Sequence, residues 1–240
     1  MLKQTQTTDL SYVVENVPEN RGKILAVVTS VAHMGEDKAT GYEHTELARA
    51  YYVFTANGFE VDIASPQGGK PPVVYDGEDM GRYDYAFLND VEIQQSLENT
   101  IALANINPDD YEAVYFVGGK GTMFDFIDNP DITRLVEHFY NNNKAIAAVC
   151  HGPAALISVE NQRQGWLQNK RIAAFSNTEE TLVGRSGNVP YLLQTKLEEL
   201  GAEVKTALVP FLSHIEVDGL LVTGQNPLSA GPAAKALIQL

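Results

Sequence analysis

The chain of 240 residues is 44% hydrophobic and carries 17 Lys+Arg against 31 Asp+Glu, a formal net charge of -14. It can bury a sizeable core, while so acidic a balance repels polyphosphate backbones and anionic lipid surfaces and argues against nucleic acid or a membrane as partner. Its one cysteine excludes a disulfide scaffold and a multi-cysteine metal site, and no segment reads as a signal peptide or a membrane span, so a soluble cytoplasmic protein is expected.

Met1 to Gly22 is polar and reads as a leading arm, and residues 23–240 as one α/β domain. Ile24 to Val28 is a continuous β-branched run that suits a strand buried on both faces. A polar loop, Ala32 to Gly41, leads into a helix on which Leu47, Ala50, Tyr51 and Phe54 recur on one side, stopped at Asn57-Gly58. Phe59 to Ala64 is a second strand. Gln67 to Pro108 reads as an irregular insertion, with Gly68-Gly69, Pro71-Pro72, an acidic stretch at Asp76 to Asp79 and a helix near Glu92 to Ala104. Alternation then resumes: strand Ala113 to Val117, helix Asp131 to Asn141, strand Ala145 to Val149. It continues with a strand at Ile172 to Phe175, a helix at Tyr191 to Leu200, strands near Val204 to Leu208 and Leu220 to Val222, and a last helix after Pro227. Strands alternating with helices predict a mostly parallel sheet covered on both faces.

Cys150 ends one of the buried strands and is followed by His151-Gly152-Pro153, with the proline opening a helix. A nucleophile on such a turn sits at the carboxyl edge of the sheet, beside the free N–H groups of a helix start. The helix dipole predicts a thiol pKa below the free value of about 8.5. The competing reading is a small buried hydrophobe. Gly118-Gly119-Lys120-Gly121-Thr122 also follows a buried strand. It lacks the Ser or Thr that a phosphate loop needs directly after Gly-Lys, so an oxyanion-stabilising backbone or an ordinary turn are the two readings. Glu46, next to the apolar stripe of its helix, is either a desolvated proton-transfer group or a solvated edge residue; Glu43 reads as a first-turn dipole partner. His33, His44 and His138 read as surface or helix-end residues, and His214 as the start of a strand.

These residues, in this order, resemble the ThiJ/PfpI superfamily. Its markers here are Thr40-Gly41 with Glu46, Gly58 to Asp62 with Ala64-Ser65-Pro66, Gly118 to Asp125, Ala148 to Ala154, Val189 to Leu193 and Val222 to Pro227. The likeness runs from about Lys23 to the C-terminus and is strongest to the branch holding glutathione-independent glyoxalase III and stress-induced chaperone-like proteins. The resemblance implies a flavodoxin-like three-layer sandwich, a homodimer, no cofactor and no metal. It also implies a Cys150–His151–Glu46 site, with backbone at Gly118, Gly119 and His151 facing an oxyanion and the 67–108 insertion covering the site. Relatives often carry histidine where Lys120 stands, and an acid where this chain has Asn177, with Glu179 and Glu180 close by; Lys120 and Asn177 are therefore expected to line the pocket.

The function so implied is conversion of methylglyoxal or glyoxal to lactate or glycolate through a Cys150 hemithioacetal, without glutathione. The alternatives are a holdase chaperone or a deglycase acting on unfolded or glycated proteins. A cysteine peptidase and a glutamine amidotransferase stand further off. The amidotransferase reading would use His214-Ile215-Glu216, but Ala154 replaces the glutamine expected after its nucleophile.

Overall fold

The structure is a computed structural model and describes residues 19–35, 38–75, 80–184 and 188–240. Most of the leading arm and the acidic stretch Asp76 to Asp79 lie outside the described residues. Seven strands form the main sheet: β1 (Lys23–Val27), β2 (Glu60–Ser65), β3 (Ile101–Ala102), β4 (Ala113–Phe116), β5 (Ala145–Val149), β6 (Ile215–Asp218) and β7 (Leu221–Gly224). Their spatial order is β6-β7-β5-β4-β1-β2-β3. All neighbours are parallel except the β6–β7 hairpin.

Side-chain alternation divides the core between the two faces. Ile24, Ala26, Tyr115, Ala147 and Val149 pack against helix α1 (His44–Ala56), with Phe87 of α2 (Arg82–Asn89), Ile93 and Leu97 of α3 (Val91–Glu98), and α9 (Ala230–Leu237). Leu25, Val27, Val114, Phe116 and Ile146 pack on the other face, against α5 (Pro130–Asn141), α6 (Ala154–Gln162) and α8 (Leu193–Glu199). Two short helices complete the chain, α4 (Thr122–Asp125) and α7 (Asn177–Leu182). Because both faces are covered, the central strands are apolar throughout, which is why β1, β4 and β5 are legible as continuous hydrophobic runs.

The register Val27↔Phe116↔Ala148↔Thr223 brings the carboxyl ends of β1, β4, β5 and β7 level. The turns after β4 and β5 therefore leave the sheet side by side, at the edge where open α/β sheets place their sites.

Several expected elements differ. The insertion contributes two short helices in place of the single helix near Glu92 to Ala104, and its Ile101–Ala102 joins the main sheet as the edge strand β3. Of the strands expected at Ile172 to Phe175 and Val204 to Leu208, only Arg171–Ile172 and Glu203–Val204 form, and they pair with each other outside the main sheet. The hairpin partner of β7, β6, is half-exposed and lacks a fully apolar run, which leaves little signal in sequence. Among the described residues no helix is long and apolar enough to cross a membrane.

Candidate active site

The turn after β5 holds Cys150 at φ 58, in the left-handed region. That conformation costs a non-glycine residue about 1–3 kcal/mol and persists only where its surroundings over-determine it. Here they do. Cys150 N donates to Gly224 O at 2.8 Å, Phe175 N donates to Cys150 O at 2.9 Å, and Gly152 N closes the turn on Val149 O at 2.7 Å. The side chain is 4% exposed.

His151 Nδ1 lies 3.3 Å from Cys150 Sγ, and Nε2 lies 2.7 Å from Glu180 Oε2. The imidazole is buried against the Phe175 ring, with centroids 4.6 Å apart. Burial pulls the His151 pKa below its ordinary value, although Glu180 pulls the other way. Burial also pushes Glu180 up, but the hydrogen bond and charge of His151, together with Lys120, outweigh it and hold the carboxyl at about 2. A carboxylate facing a neutral imidazole takes the Nε2–H, which leaves Nδ1 unprotonated toward the thiol. The remaining oxygen, Glu180 Oε1, is paired with Lys120 Nζ.

The acid that orients His151 is thus Glu180 on α7. Asn177, the expected pocket residue, instead donates from Nδ2 to Thr195 Oγ1 at 2.8 Å and takes part in docking α7 to α8. Glu179 is also occupied: it forms a capping box with Ser176 and its Oε1 accepts from Phe211 N and Asn226 Nδ2.

On the other side of the thiol, Glu46 projects from the first turn of α1 and is fully buried. Its Oε2 accepts from Gly118 N at 2.7 Å, and Oε1 has no nitrogen or oxygen partner among the described residues. The Cys150 thiol is its neighbour. Burial, reinforced by the charge of Glu43, pushes the Glu46 carboxyl well above the usual carboxylate range. Both effects favour the protonated form of the acid. Burial and the Glu46 carboxyl likewise push the Cys150 thiol up. These two effects oppose the lowering expected from the start of the following helix.

Gly118 packs between these two groups. A Cβ there would lie 2.5 Å from Glu46 Oε2 and 2.7 Å from Cys150 Cβ. Its N–H is committed to Glu46 and is not free for a substrate oxygen, unlike those of Gly119 and His151, which have no acceptor among the described residues. Gly119 has φ 103 and packs against Gly41 O. Thr122 Oγ1 lies 2.9 Å from Gly119 O and 3.0 Å from His151 O and so links the two turns.

Sequence reasoning missed one further pair. Arg49, three residues after Glu46, is 2% exposed and makes a 3.1 Å ion pair with Asp84, which is fully buried. Arg49 Nη1 also donates to Pro227 O. The pair locks the insertion onto α1 beside the site. His44 belongs to the same cluster: it stands at the helix end expected of it, as the first residue of α1, but is fully buried and not at the surface, with Nε2 2.9 Å from Asp84 O. His214 immediately precedes β6, close to the strand start expected of it, and its ring pairs with Glu216 at 3.0 Å. None of its hydrogen bonds among the described residues reaches Cys150 or His151.

The fold and this turn define an α/β protein with a buried cysteine at the carboxyl edge of its sheet. The chain belongs to the DJ-1/PfpI family, whose match covers residues 38–239. It is 28% identical over 232 residues to "Glyoxalase 3" of Candida albicans, spanning 90% of this chain and 97% of that one. It superposes on the Rapid Encystment Protein 24 kDa (REP24) of Francisella tularensis with a TM-score of 0.85 at 36% identity, covering 91% of this chain and 98% of that one. The crystal structure of glyoxalase III from Candida albicans matches with a TM-score of 0.80 at 25% identity, over 92% and 98% of the two chains.

Proposed function

We propose that this protein is a glutathione-independent glyoxalase that converts methylglyoxal to lactate, or glyoxal to glycolate, on Cys150. One observation carries the reading: the Cys150 thiol lies between the His151 imidazole, 3.3 Å away, and the fully buried Glu46 carboxyl, and their surroundings favour an unprotonated ring nitrogen and a protonated acid. That supplies a base and an acid to a soft nucleophile without any added thiol. The likeness to Candida albicans glyoxalase III over nearly the whole chain supports it.

His151 Nδ1 takes the thiol proton, and Sγ adds to the aldehyde carbon. The developing alkoxide is held by the N–H groups of Gly119 and His151 and receives the Glu46 proton, giving a hemithioacetal. Glu46, now a carboxylate, removes the hydrogen from that carbon while imidazolium protonates the neighbouring carbonyl oxygen, giving an enediol. Glu46 returns its proton to the second carbon, the first carbon's hydroxyl proton goes to His151, and a thioester results. Water deprotonated by the Glu46 carboxylate adds to the thioester, Sγ leaves and takes the proton held by His151, and the hydroxy acid departs with both groups back in their starting states. The carbons exchange oxidation levels with no external oxidant. Cys150→Ser is expected to abolish the covalent adduct and Glu46→Gln to form it without turnover, as read by intact-protein mass and lactate release. A Glu46→Gln enzyme turning over at the wild-type rate would remove Glu46 from this scheme.

A second reading, a holdase, is favoured by the exposed apolar residues Leu208, Val209, Phe211 and Leu212 on one segment beside α7. Suppression of aggregation that survives Cys150→Ala at the wild-type level would separate it from catalysis.

A further inference from the structure

Glu180 is shared. Its Oε2 faces His151 Nε2 and its Oε1 is paired with Lys120 Nζ. All three side chains are shielded: Lys120 is 11% exposed, Glu180 5% and His151 3%. Lys120 lies in the turn after β4, next to the Gly119 N–H, and reaches across to α7. A cation buried to that degree in a site whose chemistry needs only a thiol, a base and an acid has no part in the steps above.

We propose that Lys120 is a positioning residue of the Cys150 site: by holding Glu180 through Oε1 it turns Oε2 onto His151 and keeps a second proton off the imidazole. The inference rests on reading Cys150, His151 and Glu180 as one reacting set. The charges that face the imidazole are few. Glu180 and Glu179 come from α7 and favour a second proton on the ring; Lys120, from the β4–α4 turn, opposes it. Cys150, in the turn after β5, contacts Nδ1, and Phe175 covers the ring face without charge. Glu179 is held by Ser176, Phe211 N and Asn226, so it cannot move to offset a change at Lys120. Lys120 is the cation in this set, and removing it leaves a buried carboxylate against a titratable ring, the arrangement that fixes imidazolium.

The test is a histidine-ring NMR titration of the whole chain, with the His151 signal identified by its loss in His151→Asn. In the wild type the His151 midpoint is expected below the ordinary histidine value. Lys120→Met and Lys120→Gln are expected to raise it by about one pH unit or more, the shift typical of exposing a group to an unshielded opposite charge. The Cys150 alkylation midpoint should fall in the same variants, because imidazolium then stands beside the thiol. Lys120→Arg, which keeps the charge, should stay within a few tenths of wild type. A residue that merely packs the turn would lower signal intensity or reactivity without moving either midpoint. An unmoved His151 midpoint in both neutral variants overturns the proposal, as does an Arg variant that shifts as far as Met. Neither readout uses a dicarbonyl, so an absence of lactate would count against the proposed function and not against this one.

Discussion

Glu180→Gln probes the hydrogen-bonded chain behind Cys150 through stability. Held at about 2 against an ordinary 4.5, the Glu180 carboxyl is the stronger acid in the folded chain. At about 1.4 kcal/mol per unit, the folded state gains about 3 kcal/mol from this group at neutral pH. A depressed carboxyl pKa stabilises fully above the unfolded value and loses that contribution as pH falls through the folded one. The wild type should therefore lose about 2 kcal/mol from Glu180 alone between about pH 4.5 and pH 3, and Glu180→Gln should not. Other carboxylates titrate in the same range, so the informative quantity is the difference between the two proteins. Urea unfolding at about pH 7, 6, 5, 4 and 3 gives it. The gap in unfolding free energy should be flat above about pH 5 and close by about 2 kcal/mol by pH 3. A gap independent of pH across this range would refute the claim that Glu180 is an ionised partner of His151 and Lys120.

Glu46→Gln keeps the shape and the acceptor for Gly118 N–H but removes the proton that the carboxyl gives and takes back. Its lactate formation should drop by about 10²–10⁴, the usual worth of a general acid or base. Arg49→Met strands fully buried Asp84 without its 3.1 Å partner. A destabilisation of about 3–5 kcal/mol is expected by chemical unfolding, and a loss under about 1 kcal/mol would show the pair to be dispensable for holding the insertion.

The parts of the molecule legible in sequence are those written in local periodicity. β1, β4 and β5 are apolar on both faces, α1 and α5 carry one-sided stripes, and the turn at Cys150 is a strand running into His-Gly-Pro. Asn129 and Pro130 mark the start of α5 by composition as well, and Asn129 Oδ1 does accept from Asp131 N and Ile132 N. The parts that were hidden depend on contacts across the sequence. β3 is two residues long and becomes a strand only because β2 offers an unpaired edge. Arg49 and Asp84 are 35 positions apart, and nothing local says that either is buried. Glu180 is the instructive case. The run Ser176-Asn177-Thr178-Glu179 is a capping-box pattern, which assigns Glu179 to the helix start and leaves Glu180 as the acid free to face His151. Lys120 gave no such signal, since its partner lies 60 positions away. The burial of the Cys150 thiol was hidden for the same reason: the helix start is local, whereas the burial beside Glu46 comes from packing α1 against the turns after β4 and β5.

The most direct test of the central claim is lactate formation from methylglyoxal by the purified chain in buffer free of glutathione and any other thiol, compared with Cys150→Ser at equal concentration. The account predicts steady lactate release by the wild type and none above background by the variant. Lactate release by Cys150→Ser at the wild-type rate, or its absence from a folded wild type, would contradict it.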